Sequence, residues 1–195
     1  MTILHIDSSP RFSESVSRAL SQTVVDKLRA DHPGATVTRR DVVTTPLPYV
    51  SHDMIAAFYT PPAQLSEEQK TIVALSNTIT EEIKAADAVV VGVPMWNFGV
   101  PASLKAWFDL VARVGVTFKY GESGPIGLLT GKKAYFTIAT GGTPIGGDWD
   151  FTSGHLKTFF AFLGIADSEV IAADQIQGQG GEERIAEAKQ EAAAV

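Results

Sequence analysis

Hydrophobic positions along the chain alternate between two periods. Ile3–Asp7 (ILHID) is a short apolar run that predicts a buried strand, and Val16, Leu20, Val24 and Leu28 then recur at helical spacing across Ser15–Ala30. Pro33 and Gly34 stop that helix, and Ala35–Asp41 (ATVTRRD) alternates as a strand does. Residues 44–63 hold Pro46, Pro48, Pro61 and Pro62 and read as a long loop with room for one short helix. Connections of that length inside compact domains usually serve function or form a lid. Ser66 followed by Gln69 is a capping-box pattern, opening a helix to about Ala86. Ala88–Val93 (AVVVGV) is continuously apolar, as a central strand covered on both faces must be. Pro94–Gly99 follows as a loop, Pro101–Ala112 as a helix and Val116–Gly127 as an irregular or hairpin excursion. Lys132–Thr140 predicts a strand, Phe151–Leu163 a helix, Ser168–Ala173 the last strand and Glu182–Ala194 a terminal helix.

This alternation predicts an α/β protein with a doubly wound, five-stranded parallel sheet, because parallel neighbours need helical crossovers. No repeat, linker or low-complexity tract divides residues 1–195, so one domain is expected. Ligands in such sheets lie outside the carboxyl ends of the strands, where the strand order reverses. Three loops expected there are unusual: Ser8–Ser17, Pro94–Gly99 and Gly141–Asp150.

Composition narrows the chemistry. A net charge of −6 argues against a nucleic-acid backbone as partner, so an anionic ligand would need a seat made locally from dipoles and hydroxyls. With no cysteine, disulfides, thiolate catalysis and cysteine-held zinc or iron–sulfur centres are excluded. His5, His32, His52 and His155 show no metal-ligand spacing, and no Ser–His–Asp set can be placed. No run is apolar enough to span a membrane, and no signal segment stands at the start; the expectation is a cytoplasmic protein.

The first loop, Ser8–Ser17 (SSPRFSESVS), stands where many α/β proteins seat a phosphate, yet it contains no glycine. Neither G-x-G-x-x-G nor the P-loop pattern is present. Ser9, Ser15 and Ser17 can donate hydroxyl hydrogen bonds to a phosphate dianion at a helix N-terminus, which suits a terminal phosphomonoester better than an internal pyrophosphate. The competing reading is that Ser13 or Ser15 is only a helix cap. The second loop, PMWNFGVP, displays Met95, Trp96, Asn97 and Phe98 at the sheet edge; these can frame a planar ring, or the aromatics can pack under a neighbouring helix. Gly99 is expected to allow the tight path and Pro101 to start the next helix. In the third loop Gly141 and Gly142 let backbone amides approach a ligand, or make a mobile turn. Phe118, Lys119 and Tyr120 can line a pocket wall, whereas Phe159, Phe160 and Phe162 have the spacing of core residues.

PMWNFGVPASLKAWFD, followed by VGVTFKYGESGPIGLLTGKKA, resembles the FMN-dependent NADH azoreductases, and the likeness runs from the serine-rich loop to AFLGI. The resemblance implies a flavodoxin-like sheet in the order 2-1-3-4-5 with helices on both faces. It implies a homodimer that binds FMN and uses NADH to reduce quinones and cleave azo compounds, with donor and acceptor taking turns on one flavin face. By that likeness Ser9, Ser15, Val16 and Ser17 hold the FMN phosphate, and Met95, Trp96, Asn97 and Phe98 lie along the isoalloxazine ring. Ala139, Thr140, Gly141 and Gly142 meet its pyrimidine edge, and Phe118, Tyr120 and Phe162 wall the substrate slot. The family often has Ser-Arg-Gly-Gly where this chain has Ala139–Gly142, and commonly a threonine at Gly121. No Arg or Lys occurs between Asp41 and Lys70 to meet a 2′-phosphate, which points to NADH over NADPH. A flavodoxin-like electron carrier and an FMN-binding module without turnover are the rival readings.

Overall fold

A computed structural model describes residues 1–195. Five strands form one parallel sheet: β1 (Thr2–Asp7), β2 (Thr36–Asp41), β3 (Ala88–Pro94), β6 (Lys133–Ala139) and β7 (Asp167–Ala173), in the order β2-β1-β3-β6-β7. In order of appearance these five strands run 2-1-3-4-5, as expected. The remaining two strands, β4 (Phe118–Gly121) and β5 (Gly124–Gly127), pair antiparallel, so the 116–127 excursion is a hairpin.

Strand alternation sends successive side chains to opposite faces. Leu4, Ile6, Val89, Val91, Phe136 and Ile138 enter one core with α3 (Glu67–Ala85), α4 (Ala102–Val111) and α5 (Phe151–Phe162). Ile3, Val90, Tyr135 and Ile171 enter the other, against α1 (Val16–Asp31) and α6 (Gly181–Ala192). With helices on both faces, β3 is buried nearly throughout, whereas edge strand β2 is not.

The long proline-bearing loop holds α2 (His52–Tyr59), capped by Ser51, and one 3₁₀ turn at Pro62–Gln64. The capping box at α3 forms: Gln69 N–H donates to Ser66 Oγ at 3.1 Å, and Ser66 N–H donates to Gln69 Oε1 at 3.1 Å. The hairpin docks on the carboxyl end of α5, where Leu129 N–H donates to the Leu163 carbonyl at 2.9 Å. Gly127 must be glycine there, because a Cβ would come within 2.1 Å of the Gly164 nitrogen.

Register decides what meets at the sheet's carboxyl edge. Asp7 lies beside Asp41 and Gly92, and Ala139 beside Pro94 and Ala173. The loops that leave these strands therefore emerge side by side.

Candidate functional site

A cleft of about 490 Å³ opens between those loops, within the size range of small-molecule sites. The first loop supplies Ser9, Ser15, Val16 and Ser17, together with Pro10, Arg11 and Glu14. Ser9 and Ser17 are each 1% exposed. Ser9 Oγ accepts from Arg11 N–H at 3.2 Å, and the Ser15 and Ser17 hydroxyls lie 3.4 Å apart. Glu14 sits in the left-handed region at φ 60° and turns the chain into α1. Ser15, not Ser13, is the cap, accepting from Arg18 N–H at 3.4 Å, a long bond. It caps the helix and lines the cleft at once. The N–H groups of Val16 and Ser17 donate to nothing within the chain. Two free donors and three hydroxyls at a helix N-terminus are groups that can seat an anion.

From the second loop, Met95 and Trp96 line the cleft. Trp96 and Gly99 exchange backbone hydrogen bonds at 2.9 and 3.1 Å, closing a two-residue turn with Asn97 at φ 47° and Phe98 at φ 70°. This corrects the expectation for Gly99. The strained residues are Asn97 and Phe98, and the left-handed conformation is costly for a side chain as bulky as phenylalanine. Trp96 remains 51% exposed and Phe98 44%, so neither packs under a helix. Phe98 instead meets Trp149 edge-on at 5.4 Å. Trp96 and Asn97 also border a second cavity of about 810 Å³, reaching Val43, Pro101, Lys105 and His155. Pro101 stands one position before the first helical residue of α4, at the cap rather than inside the helix.

The third loop contributes Ala139, Thr140 and Gly141; Gly142 lies beyond the cleft wall in open space. The N–H groups of Gly141 and Gly142 are again without partners. Thr140, where the family often has arginine, is buried and commits its hydroxyl to the turn, accepting from Gln175 N–H at 2.9 Å. Ile176 and Gln177, which the sequence did not single out, complete this wall. Ile176 N–H donates to the Thr140 carbonyl at 3.1 Å and Gln177 N–H to the Gly141 carbonyl at 3.0 Å. The Gln177 carboxamide lies over Gly141, 3.1 Å from where a Cβ would stand. Only the pairing of β7 with β6 brings them there. No local pattern marks them.

The model of the flavodoxin-like fold family matches residues 1–195. The FMN-dependent NADH:quinone oxidoreductase of Erythrobacter litoralis (strain HTCC2594) is 51% identical over 188 residues, 96% of this chain and 94% of that protein. This chain belongs to the flavodoxin-like FMN-dependent NADH:quinone oxidoreductase family. Among solved structures, azoreductase AzrA superposes with a TM-score of 0.92 at 30% identity, covering 100% of this chain and 98% of that one. An azoreductase from Bacillus anthracis str. Sterne gives 0.91 at 29% identity, covering 100% and 97%.

In this member of the quinone oxidoreductase family, the three remaining site candidates lie elsewhere. Phe118 packs on Phe162 at 4.6 Å and on Tyr120 at 5.6 Å. That cluster stands at the carboxyl end of α5, whereas Phe151 N–H, at its amino end, donates to the Phe98 carbonyl at 3.2 Å. Eleven residues of helix rise, roughly 16 Å, separate the two ends. A single chain does not bring the aromatic wall to the cleft. Tyr120 is 66% exposed beside Ile126. At Gly121, a Cβ would meet the flexible end of Ile126 at 2.6 Å, so the family's commoner threonine would require Ile126 to move.

Charge beneath the first loop is balanced in pairs. Burial opposes ionisation of Asp7, but His5, the Arg39 fork and the Arg18 charge hold its pKa down to about 2. Asp41 is lowered too, with burial outweighed by Arg18 and the Val43 and Thr44 N–H groups. Asp150, which caps α5, is lowered against its own burial by Ser153 and backbone N–H donors. Burial and nearby Lys105 push His155 below the usual imidazole range. No helix is long and apolar enough to cross a membrane.

Proposed function

We propose that this chain binds FMN and uses NADH to reduce quinones and to cleave aromatic azo compounds. The observation that carries the reading is one cleft whose two ends differ in chemistry. Hydroxyls and free N–H groups gather at Ser9, Ser15, Val16 and Ser17, and the rest of the wall runs from Met95 and Trp96 to Gly141. The first end matches a terminal phosphate and the second a ring system, so the residues present fit FMN. The site lies where β1 and β3 adjoin, the point at which a doubly wound sheet of this order reverses.

When bound, FMN supplies the redox chemistry, taking a hydride from a reduced nicotinamide and giving two electrons to the acceptor. The protein binds and orients. Ser9, Ser15 and Ser17 would donate O–H hydrogen bonds to phosphate oxygens, helped by the positive end of α1. Met95 and Trp96 would hold the ring, with Asn97 and Phe98 towards its rim. The free N–H groups of Gly141 and Gly142 would offer donors to the pyrimidine edge and stabilise negative charge there, as oxyanion donors do. A ring held there with one face open would serve donor and acceptor in turn, giving ping-pong kinetics, and two rounds would cleave an azo bond to two amines.

The acceptor slot requires two copies. Phe118, Tyr120 and Phe162 lie a helix length from the cleft in their own chain, so they wall the slot of a second copy in a homodimer. A cytoplasmic homodimer is therefore the proposed working form.

The test is a spectrum of the purified protein, followed by anaerobic titration with NADH and with NADPH. Heat-released cofactor is expected to chromatograph as FMN, and NADH to bleach the bound flavin in preference to NADPH. Double-reciprocal plots against NADH at several quinone concentrations should be parallel. FAD in the released fraction, or no flavin uptake on reconstitution, would overturn the reading.

A further inference from the structure

Arg18 lies on the first turn of α1 but outside the cleft wall. Its side chain is almost entirely committed. Nε and Nη2 both donate to the Ser9 carbonyl, at 3.1 and 2.7 Å. Nη1 donates to Asp41 Oδ2 at 2.7 Å and stands 3.3 Å from Asp7 Oδ2. Its backbone N–H reaches Ser15 Oγ. One residue thus touches both serines that bracket the seat, and ties them to the carboxyl ends of β1 and β2.

The anchor is itself held from several sides. Asp7 Oδ2 accepts the Arg39 fork at 3.1 and 2.6 Å, and Asp7 Oδ1 accepts from Ser21 at 3.3 Å with His5 Nε2 at 3.5 Å. Asp41 Oδ1 accepts from the N–H groups of Val43 and Thr44 at 3.0 and 3.2 Å. A planar guanidinium with two N–H groups on one carbonyl fixes direction as well as distance.

The geometry points to Arg18 as a positioning residue for phosphate recognition: it aims the Ser9–Ser15 loop at the ligand without touching the ligand. The proposal rests on the FMN reading and names how its phosphate end is built. Two effects follow from the contacts. The Ser9 carbonyl is occupied by Arg18, so its lone pairs do not face an arriving dianion. The Arg18 charge also offsets Asp7 and Asp41, two carboxylates beside a seat meant for a phosphate. Without Arg18 the loop loses its hold and the seat acquires an unbalanced negative neighbour.

The experiment compares FMN with riboflavin, which lacks the phosphate, by fluorescence titration of apoprotein at low and high salt. Arg18→Met is expected to weaken FMN binding at least about tenfold and riboflavin binding by less than about twofold. Part of the FMN loss should return at high salt, which screens the Asp41 carboxylate left without its cation. Arg18→Lys keeps a charge but cannot fork onto one carbonyl, and its FMN-to-riboflavin ratio should fall between wild type and Arg18→Met. It carries the test if the methionine variant does not fold. A ratio unchanged in both variants, or FMN and riboflavin affinities that fall together, would make Arg18 a structural residue only. If wild type itself bound both flavins equally, the phosphate seat would be refuted, and this proposal with it.

Discussion

At the amino end of α5 the chain meets the cleft loops, where polar groups are buried and already organised. At its carboxyl end it meets the β4–β5 hairpin, where Tyr120 and Ile126 stand uncovered. The difference follows from the chemistry proposed for each end. A polar seat must be arranged before its ligand arrives, because donors that leave water without fixed partners cost more than they return. Ser9, Arg18, Asp7 and Asp41 are locked by one another for that reason. An apolar wall gains only when something covers it, and it can wait for a second surface. In the proposed dimer, one chain therefore finishes its cofactor end alone and leaves its acceptor end to a partner.

The strongest way to break that contrast is to remove hydroxyls from the finished end. Replacing Ser15 and Ser17 together with alanine deletes two donors to a charged group, worth roughly 1.5–3 kcal/mol each, so FMN affinity should fall at least about a hundredfold. Riboflavin should bind almost as before. Equal losses for both flavins would mean that the serines serve only the helix.

Acid gives the next largest effect. The folded pKa of Asp7, about 2, lies below its ordinary value of 3.8. Its ionised form thus supports the folded state fully above about pH 4, and that support, about 2 kcal/mol, is lost as the pH falls towards 2. Asp41 and Asp150 are lowered as well and act in the same direction. Urea unfolding at stepped pH should show the decline, and Asp7→Asn should flatten it while lowering stability at neutral pH.

At the unfinished end, Tyr120→Ala should leave FMN affinity unchanged and raise the KM for a quinone roughly tenfold, about 1.4 kcal/mol. Light scattering of the same variant would show whether the hairpin also holds the proposed dimer. A Tyr120 variant that lost flavin instead would mean that the aromatic cluster serves the cleft of its own chain.

The smallest change sharpens the reading of Ser15. Ser66 caps α3 and does nothing else, so Ser66→Ala should cost about 1 kcal/mol of stability with no change in flavin binding. The gap between the Ser66 and Ser15 results measures what Ser15 does beyond capping.

Elements were legible wherever a local rule was strong. The valine run of β3, the helical spacing of α1 and the Ser66–Gln69 box each formed as their pattern implied. Ser9, Ser15, Val16, Ser17, Met95, Trp96, Ala139, Thr140 and Gly141 do meet in one cleft. The turn at Asn97–Phe98 ran against local preference, since glycine was available one residue later and was not used for the left-handed geometry. Closing that turn through Trp96 and Gly99 outweighed the conformational cost.

Periodicity and residue chemistry sufficed for strands, helices, the cap at Ser15 and the family, because each depends on neighbours within a few positions or on a contiguous motif. Packing alone chose the rest. The entry of Ile176 and Gln177 into the cleft depends on which strand lies beside β6. The distance between Phe162 and Phe98 depends on the direction in which α5 is laid across the sheet, and Arg18 finds Asp7 and Asp41 only because β1 and β2 end level. These are relations between elements far apart along the chain, set by strand order and register, and no local pattern carries them.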